Sequence, residues 1–265
     1  MFNYQGATAL VTGASKGLGV SYAHALAERG TNLVLVARSI EKLQMLADRL
    51  TAQYGVRCIP IGADLAAPDA ARKLVRELEE RKIQIDLLVN NAGLGLTGDF
   101  LSHDIDEELA VVQVNVQTLL SLSHLLGAKM AARRKGGIIN IASNSSFMPL
   151  PAMAVYAASK AFVLHFTEAL RHEMAPGGVQ VMAVCPGTTA TSFFDGTTTT
   201  MKASAFDSAE RVVTGTLRDF ERRKSISYPG RASVRVGILL PRLFPRDITV
   251  RIAAMAASKM GLATA

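Results

Sequence analysis

The stretch "ATALVTGASKGLG", residues 7–19, decides the fold. Its start, "ATALVTG" (7–13), is an apolar run that predicts a buried strand, and "GLGVSYAHALAERG" (17–30) predicts a helix closed by Gly30. Gly13, Gly17 and Gly19 lie at the junction, where glycine permits a tight turn and lets a phosphate approach the backbone. The spacing G-x3-G-x-G departs from the dinucleotide fingerprint G-x-G-x-x-G, so the spacing alone is a weak signal. The glycines favour a nucleotide site because they lie between a first strand and the start of a helix.

The alternation of strand and helix continues along the chain. "NLVLVA" (32–37) predicts a second strand, and "SIEKLQMLADRLTAQYG" (39–55) predicts a helix with Ser39 as its N-cap. Continuous apolar runs predict four more strands, namely "VRCIPI", "DLLVNNAG", "GGIINIAS" and "VQVMAVCPG". Such runs are typical of a parallel sheet that is covered on both faces, so we expect one α/β domain over residues 1–265. Within it we expect a substrate loop or lid at 188–225 and a basic extension at 226–265.

Composition narrows the class of protein. The chain has 265 residues, of which 49% are hydrophobic and 19% charged, which excludes global disorder. We expect no membrane-spanning helix, no signal peptide and a cytoplasmic location, because no run of about 18 apolar residues occurs and the N-terminus lacks a basic segment before an apolar one. The two cysteines, Cys58 and Cys185, are expected to be buried thiols.

The end of the second strand indicates which nucleotide binds. Sites for NAD usually carry Asp or Glu there to hold the ribose 2′-hydroxyl, but this chain has Arg38 and Ser39. Arg38 is suited to a 2′-phosphate, and Lys16 adds a second cation. The sequence therefore favours NADP(H) over NAD(H); the alternative is that both cations are solvated surface residues.

A further segment, "SNSSFMPLPAMAVYAASKAF" (143–162), carries candidate catalytic residues. In a helix over 151–175, Tyr156 and Lys160 share one face, since residues four apart are neighbours. A nearby ammonium group lowers the pKa of a phenol, which could then exchange a proton with a carbonyl or alcohol oxygen. Ser143 ends a predicted strand, where its hydroxyl could reach the same oxygen. Each residue alone is commonplace; the three together on a nucleotide-binding scaffold favour catalysis.

The motifs taken in order resemble the short-chain dehydrogenase/reductase family, in its single-domain type of about 250 residues. They run from residue 8 to residue 191: "TGASKGLG" (12–19), "ADL" (63–65), "NNAG" (90–93), "VN" (114–115), Ser143, "YAASK" (156–160), and "PG" followed by Thr191. Any one is modest, but the ordered set is specific. The resemblance implies a doubly wound Rossmann fold, with a central parallel sheet of about seven strands flanked by helices on both faces, and hydride transfer from a nicotinamide.

The resemblance also implies roles for individual residues. Tyr156 would be the catalytic acid/base, Lys160 its pKa modulator and a ribose ligand, and Ser143 the group that orients the carbonyl. Asn115, in a predicted helix over 106–135, would support a water relay toward Lys160. The remaining cofactor residues would be Gly13, Ser15, Lys16, Gly17, Leu18, Gly19, Arg38, Ser39, Asp64, Leu65, Asn90, Asn91, Ala92, Gly93, Pro186, Gly187, Thr188 and Thr191.

The substrate pocket is expected to form from apolar residues that follow the strands. We predict Leu94, Leu96, Asn144, Phe147, Met153, Phe193 and Phe194 as its lining, with Met148 and Leu150 as further candidates. This composition favours a hydrophobic ketone or aldehyde, although part of the set could simply belong to the core. The five histidines show no metal-ligand spacing, and we expect neutral surface roles for them and no metal site.

Charge is concentrated at the C-terminal end. The net charge is +7, yet residues 211–265 alone hold eleven Lys/Arg and three Asp/Glu, a net +8. A subunit contact, a weak peripheral membrane contact and a solvated surface remain alternatives there. Nucleic-acid binding is not expected, and the resemblance implies a homodimer or homotetramer through 106–135 and 151–175. The leading function is an NADP(H)-dependent carbonyl reductase; the alternative is a noncatalytic NADP-sensing regulator. An epimerase or dehydratase is disfavoured because the chain leaves little room for a substrate domain.

Overall fold

A computed structural model describes residues 2–191, 206–231 and 243–262 of the chain. They contain one sheet of seven parallel strands in the order β3-β2-β1-β4-β5-β6-β7. The strands are β1 (Thr8–Thr12), β2 (Asn32–Ala37), β3 (Cys58–Gly62), β4 (Leu87–Asn90), β5 (Gly136–Ile141), β6 (Val179–Val184) and β7 (Ile226–Ser227). The prediction of a central parallel sheet of about seven strands is confirmed.

Helices cover both faces of this sheet. They are α1 (Gly17–Ala27), α2 (Ile40–Tyr54), α3 (Ala70–Glu80), α4 (Ile105–Val112), α5 (Leu119–Ala132), α6 (Ala154–Met174), α7 (Ala209–Glu221) and α8 (Arg246–Lys259). One core cluster joins α1, α2 and α7 to the sheet through residues such as Leu26, Leu43 and Phe220. A second joins α3 and α5 through Leu74 and Leu122. Burial on both faces explains why the strand sequences are continuously apolar.

The order of the strands positions a cleft. β1 lies between β2 and β4, so successive connections leave it in opposite directions. In open α/β sheets ligands bind in the crevice outside the carboxyl ends of the strands at such a point. Residues that directly follow β1, β4 and β5 are therefore brought to a single edge of the sheet.

The predicted helix over 106–135 is divided. α4 continues through a π-helical turn, Gln113–Thr118, into α5, and such turns are frequent at functional sites. Within the described residues, Ile105–Ala132 is the helical stretch that is long and apolar enough to cross a membrane. Its side chains Leu119, Leu122 and Leu126 are buried in the core, so packing within the domain accounts for its apolar composition.

Other element boundaries differ slightly from the predictions. α1 ends at Ala27, and Gly30 follows in a turn with a φ of 74°. α6 begins at Ala154 and not at residue 151, because the preceding segment is held as a loop. The Ser39 cap is confirmed, since its hydroxyl oxygen accepts a hydrogen bond from the Lys42 amide. Cys185 is buried as predicted, whereas Cys58 is only partly buried; both are free thiols.

The range 188–225, predicted as a substrate loop, contains α7. This helix is part of the core, because Val212, Leu217 and Phe220 are buried against α1 and the sheet. Residues 192–205 lie outside the described part of the chain, and so does the stretch 232–242 of the basic extension.

Candidate active site

The turn between β1 and α1 forms a cradle of backbone. Gly13 and Gly17 have φ values of 66° and 56°, in the left-handed region that favours glycine. A Cβ placed on Gly19 would lie 2.1 Å from the Gly13 carbonyl oxygen, so only glycine permits this contact between turn and helix. Lys16, the exposed N-cap of α1, makes no side-chain capping bond to the helix. The cradle fits a phosphate group at the start of α1, where helix amides and the helix dipole favour an anion.

Thr12, the last residue of β1, ties this turn to the end of β4. Its hydroxyl oxygen accepts hydrogen bonds from the amides of Asn91 and Ala92, each at 3.0 Å. The Asn91 side-chain amide donates to the Thr12 carbonyl at 2.9 Å and to that of Gly13 at 3.3 Å. These bonds fix the spacing between the glycine turn and the "NNAG" segment, so the two predicted cofactor regions form one surface.

Asn90 differs from its neighbours in the predicted cofactor set. Its side chain is buried and donates to Ser123 and to Asn140, at 3.0 and 2.8 Å. Asn140 in turn donates to Thr167 on α6 at 3.0 Å. Asn90 therefore joins the sheet to α5 and α6 in the interior, which agrees with its predicted place on the central strand but not with a lining of the ribose site.

The expected nucleotide-selecting residues lie at the edge beyond β2 and β3. Arg38 is exposed, as is Asp64, whose carboxylate accepts a hydrogen bond from the Ala66 amide. The hydroxyl of Ser39 is already engaged within α2: it accepts from the Lys42 amide as the helix cap and donates to the Glu41 carboxylate at 3.0 Å. Leu65 is buried, and its carbonyl accepts from Thr118 at 2.9 Å, so it contributes shape rather than a free polar group.

Ser143, Tyr156 and Lys160 come together at the carboxyl edge of β5. The ammonium nitrogen of Lys160 lies 5.8 Å from the centre of the Tyr156 ring and donates to the Ile141 carbonyl at 2.8 Å. The Tyr156 phenol is hydrogen-bonded to the Ser143 side chain. Ser146 reinforces this arrangement, because its hydroxyl donates to the Lys160 carbonyl at 2.7 Å and accepts from the Ser143 amide at 3.2 Å.

The protonation of this group differs from the prediction in one respect. Burial raises the pKa of Tyr156, while the hydrogen bond to the Ser143 side chain opposes the rise. Burial also lowers the pKa of Lys160 to about 8. The pKa of Tyr156 is therefore shifted in the direction opposite to the predicted one, because removal of the phenol from water outweighs the hydrogen bonding that lowers the pKa.

Asn115 lies in the π-helical turn and is fully buried. Its side-chain oxygen accepts from the Leu94 amide at 2.9 Å, and its nitrogen donates to the Leu94 carbonyl at 2.8 Å and to Ser159 at 2.9 Å. A Cβ on Gly93 would lie 3.3 Å from the Asn115 oxygen and 3.4 Å from the Lys160 nitrogen. Asn115 is thus close to Lys160, as predicted, and it also holds the start of the loop after β4.

The "PG" segment closes the cleft from the other side. A Cβ on Gly17 would lie 3.0 Å from the Cβ of Thr191, so Thr191 packs on the glycine turn. Thr188 and Ala190 are held by backbone hydrogen bonds to Asp207 at 2.9 Å each, and the Pro186 carbonyl accepts from the Asn144 amide. Asp207 is itself buried and ion-paired with Arg231 at 3.5 Å. Sequence reasoning missed this anchor, because it joins residues far apart in the chain.

The predicted pocket residues separate into two groups. Leu96 and Met153 line a cavity of about 30 Å³ beside Tyr156, together with Gly98, Phe100, His103, Glu108, Ala152, Ala154 and Val155. Leu94 and Phe147 instead pack on core clusters, and the Phe147 ring lies 6.0 Å from that of Tyr228. Asn144 accepts a hydrogen bond from the Ser143 hydroxyl at 3.2 Å. Phe193 and Phe194 lie outside the described residues.

His103 contradicts the expectation of a neutral surface role. Its Nδ1 lies 2.9 Å from a carboxylate oxygen of Glu108, and its Nε2 lies 3.2 Å from the Thr97 carbonyl oxygen. Glu108 is buried. A histidine followed five residues later by Glu, with the N-cap Asp104 between them, was the available signal. The pattern alone does not predict the contact, because the histidine and the glutamate come together only when the loop folds back onto α4.

Comparison with known proteins agrees with this geometry. The sequence profile described as "short chain dehydrogenase" matches residues 7–202. The chain belongs to the short-chain dehydrogenase family. The family consists of oxidoreductases that use a nicotinamide nucleotide.

Three relatives illustrate the range of the family. The chain is 36% identical over 185 residues to very-long-chain 3-oxoacyl-CoA reductase-A of Danio rerio, an alignment that covers 68% of this chain and 57% of the relative. It is 31% identical to a short-chain dehydrogenase from Sphingobium yanoikuyae solved in complex with NADPH, with a TM-score of 0.78 and coverage of 89% and 93%. It is 26% identical to one from Burkholderia phymatum solved with NAD, with a TM-score of 0.80 and coverage of 94% and 96%.

The curated relatives extend beyond the matched region. The chain spans 61% and 57% of the length of the first two that it matches.

Proposed function

We propose that the protein is an NADP(H)-dependent oxidoreductase that reduces a hydrophobic ketone or aldehyde to an alcohol, or runs the reverse reaction. One observation carries the proposal. Ser143, Tyr156 and Lys160, which come from two segments of the chain, meet beside the glycine cradle, with the Lys160 nitrogen 5.8 Å from the Tyr156 ring.

Each of these residues has a chemical task in the proposal. A bound nicotinamide supplies or accepts the hydride. Tyr156 gives its phenolic proton to the carbonyl oxygen, and Ser143 donates a hydrogen bond to the same oxygen as negative charge develops there. Lys160 holds the nicotinamide ribose, and Asn115 supports the passage of protons toward it.

The protonation states support the reductive direction. Because burial raises the pKa of Tyr156, the phenol carries its proton at neutral pH and is ready to act as an acid. Lys160, with a pKa of about 8, is charged over most of the same range. The reverse reaction needs the phenolate and is expected to gain rate as the pH rises.

The choice of NADP(H) rests on charge. Arg38 follows β2 at the place where an acidic residue would hold the ribose of NAD, and Lys16 lies at the start of α1. Both side chains are exposed, so a phosphate group can reach them. A solved relative is described with NADPH and another with NAD, so this choice belongs to the individual sequence.

The substrate class follows from the cavity beside Tyr156. Leu96, Phe100, Met153 and Val155 are four of the ten residues that line it, and their side chains suit an apolar body attached to the reacting carbonyl. A relative is named for very-long-chain 3-oxoacyl-CoA, in which the ketone lies on a long apolar acyl chain. The cavity is small, so we expect the bound substrate to extend toward the edge of the cleft.

The test is a screen of acyl, steroid and aromatic ketones for oxidation of NADPH and of NADH. We expect turnover of at least one hydrophobic ketone, with a lower KM for NADPH. If both nucleotides bind and no carbonyl is reduced, the noncatalytic NADP-sensing alternative replaces the reductase. A tenfold preference for NADH would overturn the assignment of NADP(H).

We also propose a homodimer or homotetramer assembled through α4 to α6. Leu109, Leu120 and Phe162 are exposed apolar residues on these helices, and the Phe162 ring stacks on Phe166 at 5.6 Å. Sedimentation of the protein and of Phe162→Glu would test this; a monomeric wild-type protein at micromolar concentration would argue against it.

A weak peripheral membrane contact through α8 is a separate proposal. Phe244, Ile248, Ile252 and Met255 are exposed at helical spacing, with the cations Arg246 and Arg251 on the same segment. The protein should float with anionic liposomes and not with neutral ones. Recovery in the soluble fraction with both would count against it.

A further inference from the structure

The loop after β4, which we call the pocket loop (residues 94–104), forms one wall of the cavity beside Tyr156. It contributes Leu96, Gly98, Phe100 and His103 to the lining, and the facing wall consists of residues 152–156. The loop has little regular structure beyond one short turn, Phe100–Ser102. Its position therefore depends on a few individual contacts.

Three contacts hold the pocket loop. At its start, Leu94 is bonded through both its amide and its carbonyl to Asn115. In its middle, the Gly98 amide donates to the Ala152 carbonyl at 3.0 Å, across the cavity wall. At its end, His103 bridges Glu108 on α4 and the Thr97 carbonyl. The third contact is the one that can change its charge.

The hydrogen-bond pattern defines the protonation state of His103. Both partners of its ring are oxygen acceptors, a carboxylate at 2.9 Å and a carbonyl at 3.2 Å. A neutral imidazole has one N–H and can satisfy only one of them, whereas an imidazolium donates to both. The side chains of His103 and Glu108 are only 14% and 10% exposed, so loss of the proton leaves an acceptor facing an acceptor in a mostly buried place.

We propose that His103 is a positioning residue, whose imidazolium form holds the pocket loop against residues 152–156 and so sets the shape of the substrate pocket beside Tyr156. The substrate part of this inference rests on the proposed function. The structural part, that the protonation of His103 controls the pocket loop, stands without it.

The surrounding packing makes the position of the ring specific. Gly98 has a φ of 128°, and a Cβ there would lie 3.3 Å from Nε2 of His103, so the imidazole packs directly on the backbone of the pocket loop. A shift of the ring therefore moves the backbone of Gly98, whose amide donates the hydrogen bond to the Ala152 carbonyl. The His103–Glu108 pair and the Gly98–Ala152 bond act on the same turn of the chain.

The direction of the pH effect follows from the neighbours of His103. The hydrogen bond to Glu108 raises its pKa, burial opposes the rise, and the Thr97 carbonyl and the charge of Glu107 add to it. The charged form of His103 is thus favoured in the fold. Its hydrogen bonds to Glu108 and Thr97 are therefore both present below the ordinary histidine pKa, and one of them is lost as the pH rises through the raised value. Besides His103 and its partner Glu108, the titratable residue that lines the cavity is Tyr156, which has a raised pKa and keeps its proton throughout this window.

A fluorescent reporter tests the structural part without substrate or turnover. The chain contains no tryptophan, so Phe100→Trp places a single indole in the pocket loop at the cavity. We expect its emission to titrate with a midpoint above the ordinary histidine value of about 6.5. The signal should be flat in Phe100→Trp/His103→Gln and shifted to lower pH in Phe100→Trp/Glu108→Gln, because the neutral amide no longer stabilises the imidazolium.

A matched control is Phe100→Trp/His124→Gln, which removes an exposed histidine from α5. It should titrate as the Phe100→Trp parent does. If the parent shows no titration near this pH, or if the titration persists after His103→Gln, the pocket loop is not controlled by His103 and the inference is overturned.

The substrate part is tested by kinetics on a ketone found in the screen. In the wild-type protein KM for the ketone should rise by about tenfold as the pH passes through the His103 titration, on the scale of a lost hydrogen bond to a charged group, while KM for NADPH stays constant. His103→Gln should have the high KM at every pH, and Glu108→Gln should move the change to lower pH. Equal effects on both KM values, or on kcat alone, would contradict a role in shaping the substrate pocket.

Discussion

The two ends of the cleft are built from different materials. The proposed nucleotide end is made of backbone: the turn from Gly13 to Gly19, the amides held by Thr12, and the start of α1. The proposed substrate end is made of side chains from the separate segments 96–108 and 152–156, which meet around Tyr156. Backbone surfaces need glycine at fixed spacing and can be recognised in a sequence, whereas side-chain surfaces tolerate many residues and depend on how distant loops pack.

The difference also appears in the electrostatics. The cations Arg38 and Lys16 are exposed at the nucleotide end, where water screens them and a phosphate can reach them. Lys160 and the Tyr156 phenol are removed from water, and their pKa values shift toward the neutral forms. In the proposed function, selectivity for the nucleotide therefore depends on surface charge, and the reactivity of Tyr156 depends on burial.

The sharpest way to separate the two ends is Tyr156→Phe. Removal of the hydroxyl takes away the proton donor and leaves the nucleotide cradle unchanged, so turnover should fall by about 10²-fold to 10⁴-fold. The dissociation constant for NADPH, measured by fluorescence titration, should stay within a factor of about two, since the lost hydrogen bond does not belong to the cradle. An undiminished rate would remove Tyr156 from the mechanism.

The burial of Lys160 predicts an unusual dependence of stability on pH. Its pKa is lowered from 10.5 to about 8 in the fold, so the unfolded chain binds more protons between these values, and folding gains stability as the pH rises through them. Relative to Lys160→Met, the free energy of unfolding of the wild-type protein should rise by about 3 kcal/mol between pH 8 and pH 10.5. Urea unfolding at both pH values measures this; parallel curves for the two proteins would mean that Lys160 is not desolvated.

Gly19→Ala tests the backbone character of the nucleotide end. The added Cβ would lie 2.1 Å from the Gly13 carbonyl, so the turn must move, at a cost of about 1–3 kcal/mol in stability and a weaker affinity for NADPH. Gly62→Ala is the matched control, because its Cβ would find ordinary contacts with Ile40 at 3.4 Å. If the two variants bind NADPH equally well, the cradle is not shaped as described.

Arg38→Gln has the smallest expected effect. Loss of one exposed cation should raise KM for NADPH by about tenfold and leave KM for NADH nearly unchanged, since only the 2′-phosphate is affected. Arg57→Gln removes another exposed arginine, from the turn before β3, and should change neither constant. Equal changes with both nucleotides would show that Arg38 contributes general charge and not recognition of the phosphate.

Much of the molecule could be predicted from local patterns. The strand "NLVLVA", the Ser39 cap and the glycine turn each specify their own conformation within a few residues, and all are found in the structure. The proximity of Ser143, Tyr156 and Lys160 could be predicted, because residues four apart share a helix face and strand ends meet at one edge of the sheet. The sheet order agrees with the predicted doubly wound fold.

Other features could not be predicted because they join distant parts of the chain. The π-helical turn contains Asn115, whose side chain donates hydrogen bonds to Leu94 and Ser159. The periodicity of "VVQVNVQT" does not predict this turn. The burial that raises the pKa of Tyr156 depends on tertiary packing around the start of α6. The anchor of the "PG" segment depends on the ion pair of Asp207 and Arg231. Both residues are distant from that segment along the chain, so no local pattern predicts the contact.

The sequence by itself determined the layered fold and the glycine turn and predicted the candidate reacting residues, because apolar periodicity, glycine and helix spacing act over short distances. Only the tertiary structure decided how those residues are charged and which wall faces them. Charge state depends on how much water reaches a group, and the partnership of His103 with Glu108 and Thr97 depends on a loop that folds back onto the next helix. Both are properties of packing, which no single stretch of the chain contains.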